Sequence, residues 1–281
     1  MNRLAMDSNA AKVKPFLKWA GGKLRIVAHI KEVLPPGRRL IEPFVGSGAV
    51  FLNTDYDHYL LADANPDLIG LYRQLQQEGE AFIRYCQRFF TPETNQRPVY
   101  YEYRDRFNRS QDPRERAALF LYLNRHGYNG LCRYNASGQF NVPFGRYKRP
   151  YFPEAEMEAF LEKARRARLE FQVADFVETL SAAQVGDVVY CDPPYVPLSA
   201  TANFTGYSKD GFGPAEQLRL AELAQELAAR GVPVVISNHD TDFTAQAYAR
   251  AREKRRLTVR RHISCDGANR NEVREILAVF H

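Results

Sequence analysis

Cysteine is scarce in this chain. There are four in 281 residues, Cys86, Cys132, Cys191 and Cys265, and no two of them form a C-x-x-C pair. That spacing argues against a zinc site or a disulfide framework and suggests reduced thiols in a cytoplasmic protein. Long apolar runs are also missing: none approaches the roughly 18 residues of a spanning helix. Residues 1–14 are polar, lack the apolar centre of an export signal and read as a frayed leader. No partner in a membrane is expected. Two phosphate-binding loops are excluded as well. Gly21-Gly22-Lys23 has Leu17 where a Walker A loop needs its first glycine and Leu24 where it needs Ser or Thr. Gly46-Ser47-Gly48 is followed by Phe51 where the dinucleotide fingerprint requires a third glycine. There is no internal repeat and no low-complexity segment. Negative charge falls slightly short, 33 acids against 39 Lys and Arg, for a net +6 and a pI near 9.1. That balance leans toward polyanionic partners without specifying one.

What is present centres on Val188-Val189-Tyr190-Cys191-Asp192-Pro193-Pro194-Tyr195. The apolar, β-branched run reads as a buried strand of a parallel sheet. Proline cannot donate to the ladder and pushes its predecessor out of the helical region, so the strand ends at Asp192. A carboxylate, a stiff diproline and an aromatic ring thus stand at the carboxyl end of a strand, where open α/β sheets bind ligands. The carboxylate and a prolyl carbonyl can accept the two hydrogens of an exocyclic amine, and Tyr195 can stack on a planar base. The plain alternative is a proline turn after a strand. The tetrapeptide resembles the D/N/S-P-P-Y/F/W signature of amino-methyltransferases.

Upstream, 15–23 (Pro-Phe-Leu-Lys-Trp-Ala-Gly-Gly-Lys) suits a loop that opens a helix over 23–33. Lys23 and the exposed amides there could hold a carboxylate, and Trp19 could cover an apolar ligand face; a glycine-loosened turn with a core tryptophan is as good a reading. The segment 39–51 predicts a strand, a glycine turn and a helix start. Its G-x-G, without the third glycine, fits a ligand with an adenosine but no phosphates, such as S-adenosylmethionine. The next strand, 59–63, closes on Asp63. That acid either accepts both ribose hydroxyls or caps the helix after Pro66, and its spacing from the glycine turn favours the ribose.

From 65 to 154 the βα rhythm stops. Helices are predicted over 68–72, 82–89, 99–108 and 114–124, followed by an irregular stretch whose Asn-Gly and Ser-Gly pairs suggest turns and a β-hairpin. Between residues 97 and 149 there are eleven cations against four acids, so the positive balance of the chain belongs here. Arginines interleaved with Tyr, Asn and Phe suit a surface that grips phosphates and reads bases, although some arginines of 104–116 fit a solvated helical face. The rhythm resumes with a helix over 156–166, a strand over 169–175, and the Asp192 strand. A polar loop follows over 197–213, of the kind that closes over substrate. Then come an amphipathic helix over 214–230, a strand over 232–237, a basic helix running into a strand over 250–261, and a closing strand over 272–280. His239 has no nucleophile beside it and is not expected to be a base.

Four motifs in one order carry a wider resemblance: 16–23, Glu42-Pro43-Phe44-Val45-Gly46-Ser47-Gly48, Asn124-Arg125-His126-Gly127-Tyr128-Asn129-Gly130, and Asp192-Pro193-Pro194-Tyr195. From about residue 15 to the C-terminus the chain resembles the Dam DNA adenine-N6 methyltransferases, with the 128–147 region closest to the GATC-specific members. The resemblance implies a doubly wound, Rossmann-like α/β methyltransferase sheet over 1–65 and 155–281. It also implies an inserted, mainly helical DNA-recognition domain over 66–154. Trp19, Lys23, Phe44, Gly46, Gly48, Asp63, Asp175 and Asp192 would bind S-adenosylmethionine. Asp192, Pro193, Pro194 and Tyr195 would be catalytic. Lys18, Tyr128, Asn129, Leu131, Arg133, Pro143 and Tyr147 would contact bases, and Arg104, Arg125, Asn135, Asn141 and Arg146 would contact phosphates or support those that do. A monomer in the cytoplasm, associated with the nucleoid through double-stranded DNA and needing no metal, is the expectation. An N4-cytosine or RNA base methyltransferase, or an inactive DNA-binding regulator, are the competing readings.

Overall fold

The computed structural model describes residues 12–197, 212–260 and 272–281. The segments 198–211 and 261–271 lie outside the described residues. With them go most of the expected substrate-closing loop, Cys265, and, at the N-terminus, most of the expected leader. The chain divides into two compact units, one of residues 1–29, 45–57 and 63–173, the other of residues 30–44, 58–62 and 174–281.

Seven strands form one sheet: β1 (Arg39–Glu42), β2 (His58–Asp63), β3 (Arg168–Val173), β4 (Asp187–Cys191), β5 (Val234–His239), β6 (Glu253–Arg260) and β7 (Glu272–Phe280). Their order is β3-β2-β1-β4-β5-β7-β6. β1 runs parallel to β2 and β4, and β4 parallel to β5, with Ile41 opposite Val189 and Cys191 opposite Ile236. β7 is antiparallel to both β5 and β6. After β1 the chain moves outward to β2, and it later returns to add β4 on the other side of β1. The switch point of this doubly wound sheet therefore lies at the carboxyl ends of β1 and β4, where such sheets bind ligands.

The sequence explains the strands. β4 and β5 are buried throughout, and their Val188–Cys191 and Val234–Ile236 runs are apolar on both faces, as in a central parallel strand. They pack against α7 (Phe176–Ser181) and α8 (Pro214–Ala229), whose Leu220, Ala224 and Leu227 join Val189, Cys191 and Ile236 in one core. β6 corrects an expectation. Residues 253–260 form an edge strand, and the short helix, α9 (Asp242–Ala247), comes before them. A strand rich in Lys and Arg lacks clean alternation, yet charge suits a sheet edge because it discourages pairing with another chain.

The other unit is mostly helical. α1 (Val27–Val33), which runs across the division at residue 29, follows a 3-10 turn at Lys23–Arg25. Then come α2 (Pro66–Glu78), α3 (Glu80–Gln87), α4 (Arg97–Arg109), α5 (Pro113–His126) and α6 (Glu154–Arg166). Residues 117–126 of α5 are buried on every side, the pattern of a helix inside a bundle, and α5 packs against α2, α3 and α4. Rings hold this unit together: Tyr72 stacks on Phe171 at 5.0 Å and meets Phe16 edge-on at 5.5 Å. Of the β-hairpin expected in the irregular stretch after α5, the described residues hold two isolated antiparallel bridges, Gly127 to Phe144 and Tyr134 to Phe140.

Candidate active site and nucleic-acid interface

The glycine turn after β1 and the acid after β2 come together. Gly46 adopts φ +47°, and a Cβ there would lie 2.9 Å from Trp19 Nε1. Only glycine allows both the left-handed backbone and the ring's approach. The Asp63 carboxylate accepts from Gly46 N at 3.1 Å and from Asn65 N at 3.0 Å, and Tyr72 donates to Gly46 O at 2.9 Å. Burial pushes the Asp63 carboxyl above the ordinary carboxylate value against the pull of those two amides. The helix after Pro66 is capped by Asn65, whose side chain accepts from Asp67 N and Leu68 N. Asp63 is therefore not the cap. Gly48 lies under the Phe51 ring, and Lys23 is buried with its ammonium on Gly21 O. This cluster of an acid, a glycine turn and an indole suits a small ligand bearing hydroxyls and a planar base.

At the switch point, Phe44 stacks on Phe176 at 5.8 Å and meets Phe212 edge-on at 5.4 Å. Asp175 is exposed and caps α7, accepting from Glu178 N at 2.8 Å. The turn after β4 is held from the end of β5. Ser237 donates to Asp192 Oδ1 at 3.0 Å and receives the Tyr190 hydroxyl at 3.0 Å. Asn238 accepts from Val196 N at 3.0 Å and donates to Gln217 Oε1, whose amide in turn donates to Pro194 O at 2.7 Å. His239 Nδ1 faces Val196 O at 2.6 Å; a carbonyl only accepts, so this nitrogen carries the proton. The Tyr195 and His239 rings meet edge to face with centroids 4.8 Å apart, and the Tyr195 hydroxyl donates to Glu275 at 3.1 Å. Burial raises the Tyr195 pKa well above its ordinary value. The whole Asp192-to-Val196 turn is thus fixed by buried polar groups.

Sequence reasoning missed Ser237, Asn238, Gln217 and Glu275. A signal existed for two of them. The apolar run of β5 ends in Ser237-Asn238, as that of β4 ends in Asp192, and parallel pairing of Cys191 with Ile236 sets Asp192 beside Ser237.

The arginine-rich loop is built on the end of α5. Tyr128 N donates to Pro143 O at 2.9 Å, Gly145 N to His126 O at 2.8 Å, and Asn129 N to the Tyr147 hydroxyl at 2.9 Å. Lys18 closes against it. Its backbone pairs with the Asn124 amide, its ammonium sits 3.9 Å over the Tyr147 ring and 3.2 Å from Arg125 O, and a Cβ on Gly130 would lie 2.3 Å from Lys18 Cβ. Burial, helped by the Arg125 charge, lowers the Lys18 amine to about 8. Tyr128 and Leu131 remain 47% and 38% exposed beside the exposed Asn129 and Arg133. Asn141 grips Arg133, accepting Nε at 2.7 Å on its side chain and Nη2 at 3.2 Å on its backbone. Asn135 folds the 135–139 turn, accepting from Ser137 N and Gln139 N. Arg104, Asn135 and Asn141 line one polar cleft, with Asn108 and Arg109. Arg104 Nε is buried and has no hydrogen-bond partner among the described residues. Arg125 is buried, donating to Tyr151 O at 2.9 Å, so it supports the loop from beneath, whereas Arg146 is exposed at φ +54°.

Among the described residues, no cluster of three or more His, Cys, Asp or Glu could hold a metal, and no helix is long and apolar enough to cross a membrane. A mainly parallel sheet with its switch point at the ends of β1 and β4 is the Rossmann-like architecture of methyltransferases. The chain belongs to the D12 class N6 adenine-specific DNA methyltransferases, whose family pattern matches residues 19–262. It is 53% identical over 269 residues to the DNA adenine methylase of Escherichia coli (strain K12), covering 96% of each chain. It is 53% identical over 270 residues to that of Vibrio cholerae serotype O1 (strain El Tor Inaba N16961), and 52% over 273 residues to that of Serratia marcescens. Its activity is methylation of adenine N6 in DNA.

Proposed function

We propose that this enzyme moves the methyl group of S-adenosylmethionine to N6 of an adenine flipped out of double-stranded DNA, within the sequence GATC. The observation that carries the catalytic reading is the Asp192-to-Tyr195 turn at the switch point, held rigid by Ser237, Asn238 and Gln217. Trp19, Lys23, Phe44, Gly46, Gly48, Asp63 and Asp175 hold the donor, with Asp63 on the ribose; the acid at the end of the second strand and the indole against a glycine turn fit an adenosine without phosphates. Bound there, S-adenosylmethionine supplies an electrophilic methyl group on a sulfonium.

Stacked in the duplex, adenine cannot present N6 to that methyl group, so the nucleotide leaves the helix. Tyr195 stacks on the base while Asp192 and the Pro193 carbonyl accept the two amine hydrogens, and Pro194 stiffens the turn. Those bonds turn the nitrogen lone pair out of ring conjugation and aim it. S-adenosylmethionine held there would supply the methyl carbon to N6 and keep the electron pair of its carbon–sulfur bond, and N6 would shed one proton to solvent. Orientation and fixed dipoles do the work, without a covalent enzyme intermediate.

The segment 66–154 is the recognition element. Lys18, Tyr128, Asn129, Leu131, Arg133, Pro143 and Tyr147 read bases, while Arg104, Asn135, Asn141 and Arg146 engage phosphates and Arg125 braces the loop. The polar cleft at Arg104 and the pre-set Arg133 support this division. The protein works as a monomer in the cytoplasm, on nucleoid DNA. Asp192→Ala should lower the single-turnover rate by on the order of 10²–10³ or more, the loss seen when a preorganised hydrogen-bonding group is removed. A variant that transfers at the parent rate would refute the role of Asp192.

A further inference from the structure

Ser237 lies in the carboxyl half of β5 and is fully buried, 0% exposed. Parallel pairing brings it beside Asp192, one step beyond the Cys191–Ile236 pair. Its hydroxyl stands 3.0 Å from Asp192 Oδ1 and 3.4 Å from Cys191 O, and the Tyr190 hydroxyl stands 3.0 Å from Ser237 Oγ. The direction of this chain is fixed by chemistry. A carboxylate accepts only, so Ser237 gives its single proton to Asp192 and receives its own hydrogen bond from Tyr190. Burial and the Asp192 charge hold the Tyr190 phenol far above its ordinary pKa, so it keeps the proton it donates. Ser237 and Tyr190 are both buried, at 0% and 1% exposure, and reach the carboxylate from within the sheet.

We propose that Ser237, backed by Tyr190, is a positioning residue for methyl transfer that sets the plane of the Asp192 carboxylate. The proposal rests on the reading of Asp192 as an acceptor of the adenine amine. The terminal torsion of an aspartate is broad and roughly two-fold, so the backbone of β4 alone does not decide where its oxygens point. A hydroxyl donor from the neighbouring strand does. Aim matters here because misplacing a group by about 1 Å can lower a rate on the order of a hundredfold. A chain of two donors ending on a charge is also stronger than either link alone, since each bond polarises the next.

The test uses the full-length enzyme, S-adenosylmethionine and a GATC duplex. Ser237→Ala should lower the single-turnover rate by roughly 10- to 100-fold. Dissociation constants for donor and for DNA should stay within about twofold, because the residue contacts neither. Tyr190→Phe keeps the ring's volume and should lower the same rate by about 2- to 10-fold, one hydrogen bond's effect. If Tyr190 works through Ser237, the double variant should be no slower than Ser237→Ala alone. A parent rate in Ser237→Ala overturns the proposal. So does a loss that appears equally in donor or DNA affinity, or a double variant whose loss is the product of the two. Should Ser237→Ala fail to fold, a parent rate in Tyr190→Phe overturns it. Asp192→Ala separates the two ideas. If that variant transfers normally, the acceptor reading fails with this one; if it is inactive while Ser237→Ala is normal, only the positioning role fails.

Discussion

Arg133 is the residue on which the recognition reading depends, and the structure says how its loss should look. Its Nε and Nη2 are held by the Asn141 side chain and carbonyl at 2.7 and 3.2 Å. One edge of the guanidinium is thereby fixed while the side chain stays exposed, so the Nη1–Nη2 edge is pre-set for the paired acceptors of a guanine. A bidentate contact of that kind is worth about 1–3 kcal/mol of discrimination, or roughly 5- to 150-fold against one wrong base pair. Arg133→Ala should remove that preference at one position of GATC and leave the others. Asn141→Ala removes the shorter of the two anchoring bonds and keeps the backbone one, so it should cost a fraction of this, about 0.5–1.5 kcal/mol. Arg104→Ala is the contrast: a lost phosphate contact weakens all duplexes alike and reduces the slope of log affinity against log salt by about one. Binding and transfer on GATC and on duplexes with one altered base pair, at several salt concentrations, separate these outcomes. If Arg133→Ala weakens every duplex equally, the loop does not read bases and the assignment of the recognition element is wrong.

Two further predictions concern charge. Asp63→Ala should weaken S-adenosylmethionine binding by about 1.5–3 kcal/mol, the scale of a charge-assisted hydrogen bond, with DNA affinity in the absence of donor unchanged; calorimetry giving equal donor affinity would contradict it. Lys18, with its amine near 8, carries its charge below that pH and loses it above, so DNA affinity should fall as pH rises past 8. The fall should be about fivefold between pH 8 and 9 at most, because a group with its pKa near 8 is half charged at pH 8 and about one-eleventh charged at pH 9, and a Lys18→Met variant that keeps the same pH dependence would rule the residue out.

How much of this was legible beforehand varies with the distance over which each feature is decided. The strand ends were readable: an apolar run stopped by Asp192-Pro193 and a glycine turn after Glu42 are local, and they fall at the switch point. At Asp63 the spacing favours the ribose over the helix cap, but only the fold removes the cap, because Asn65 is an equally good capping residue two positions on and takes that role. β6 was misread because an edge strand carries Lys and Arg where periodicity looks for alternation. The grip of Asn141 on Arg133 spans a loop that no regular pairing dictates, so nothing short of the fold reveals it. Ser237 is the intermediate case. Its place beside Asp192 follows from two parallel strands once their order is known, but that order depends on the crossover from β1 to β4.

Methyl transfer from S-adenosylmethionine to adenine N6 in GATC can be followed by incubating the enzyme and isotope-labelled donor with a GATC duplex and with duplexes changed at one base pair. The nucleosides released from each are then resolved by mass. Labelled N6-methyldeoxyadenosine is expected from the GATC duplex, and far less from the others. Labelled N4-methyldeoxycytidine, equal labelling of every duplex, or no labelled nucleoside at all would contradict it.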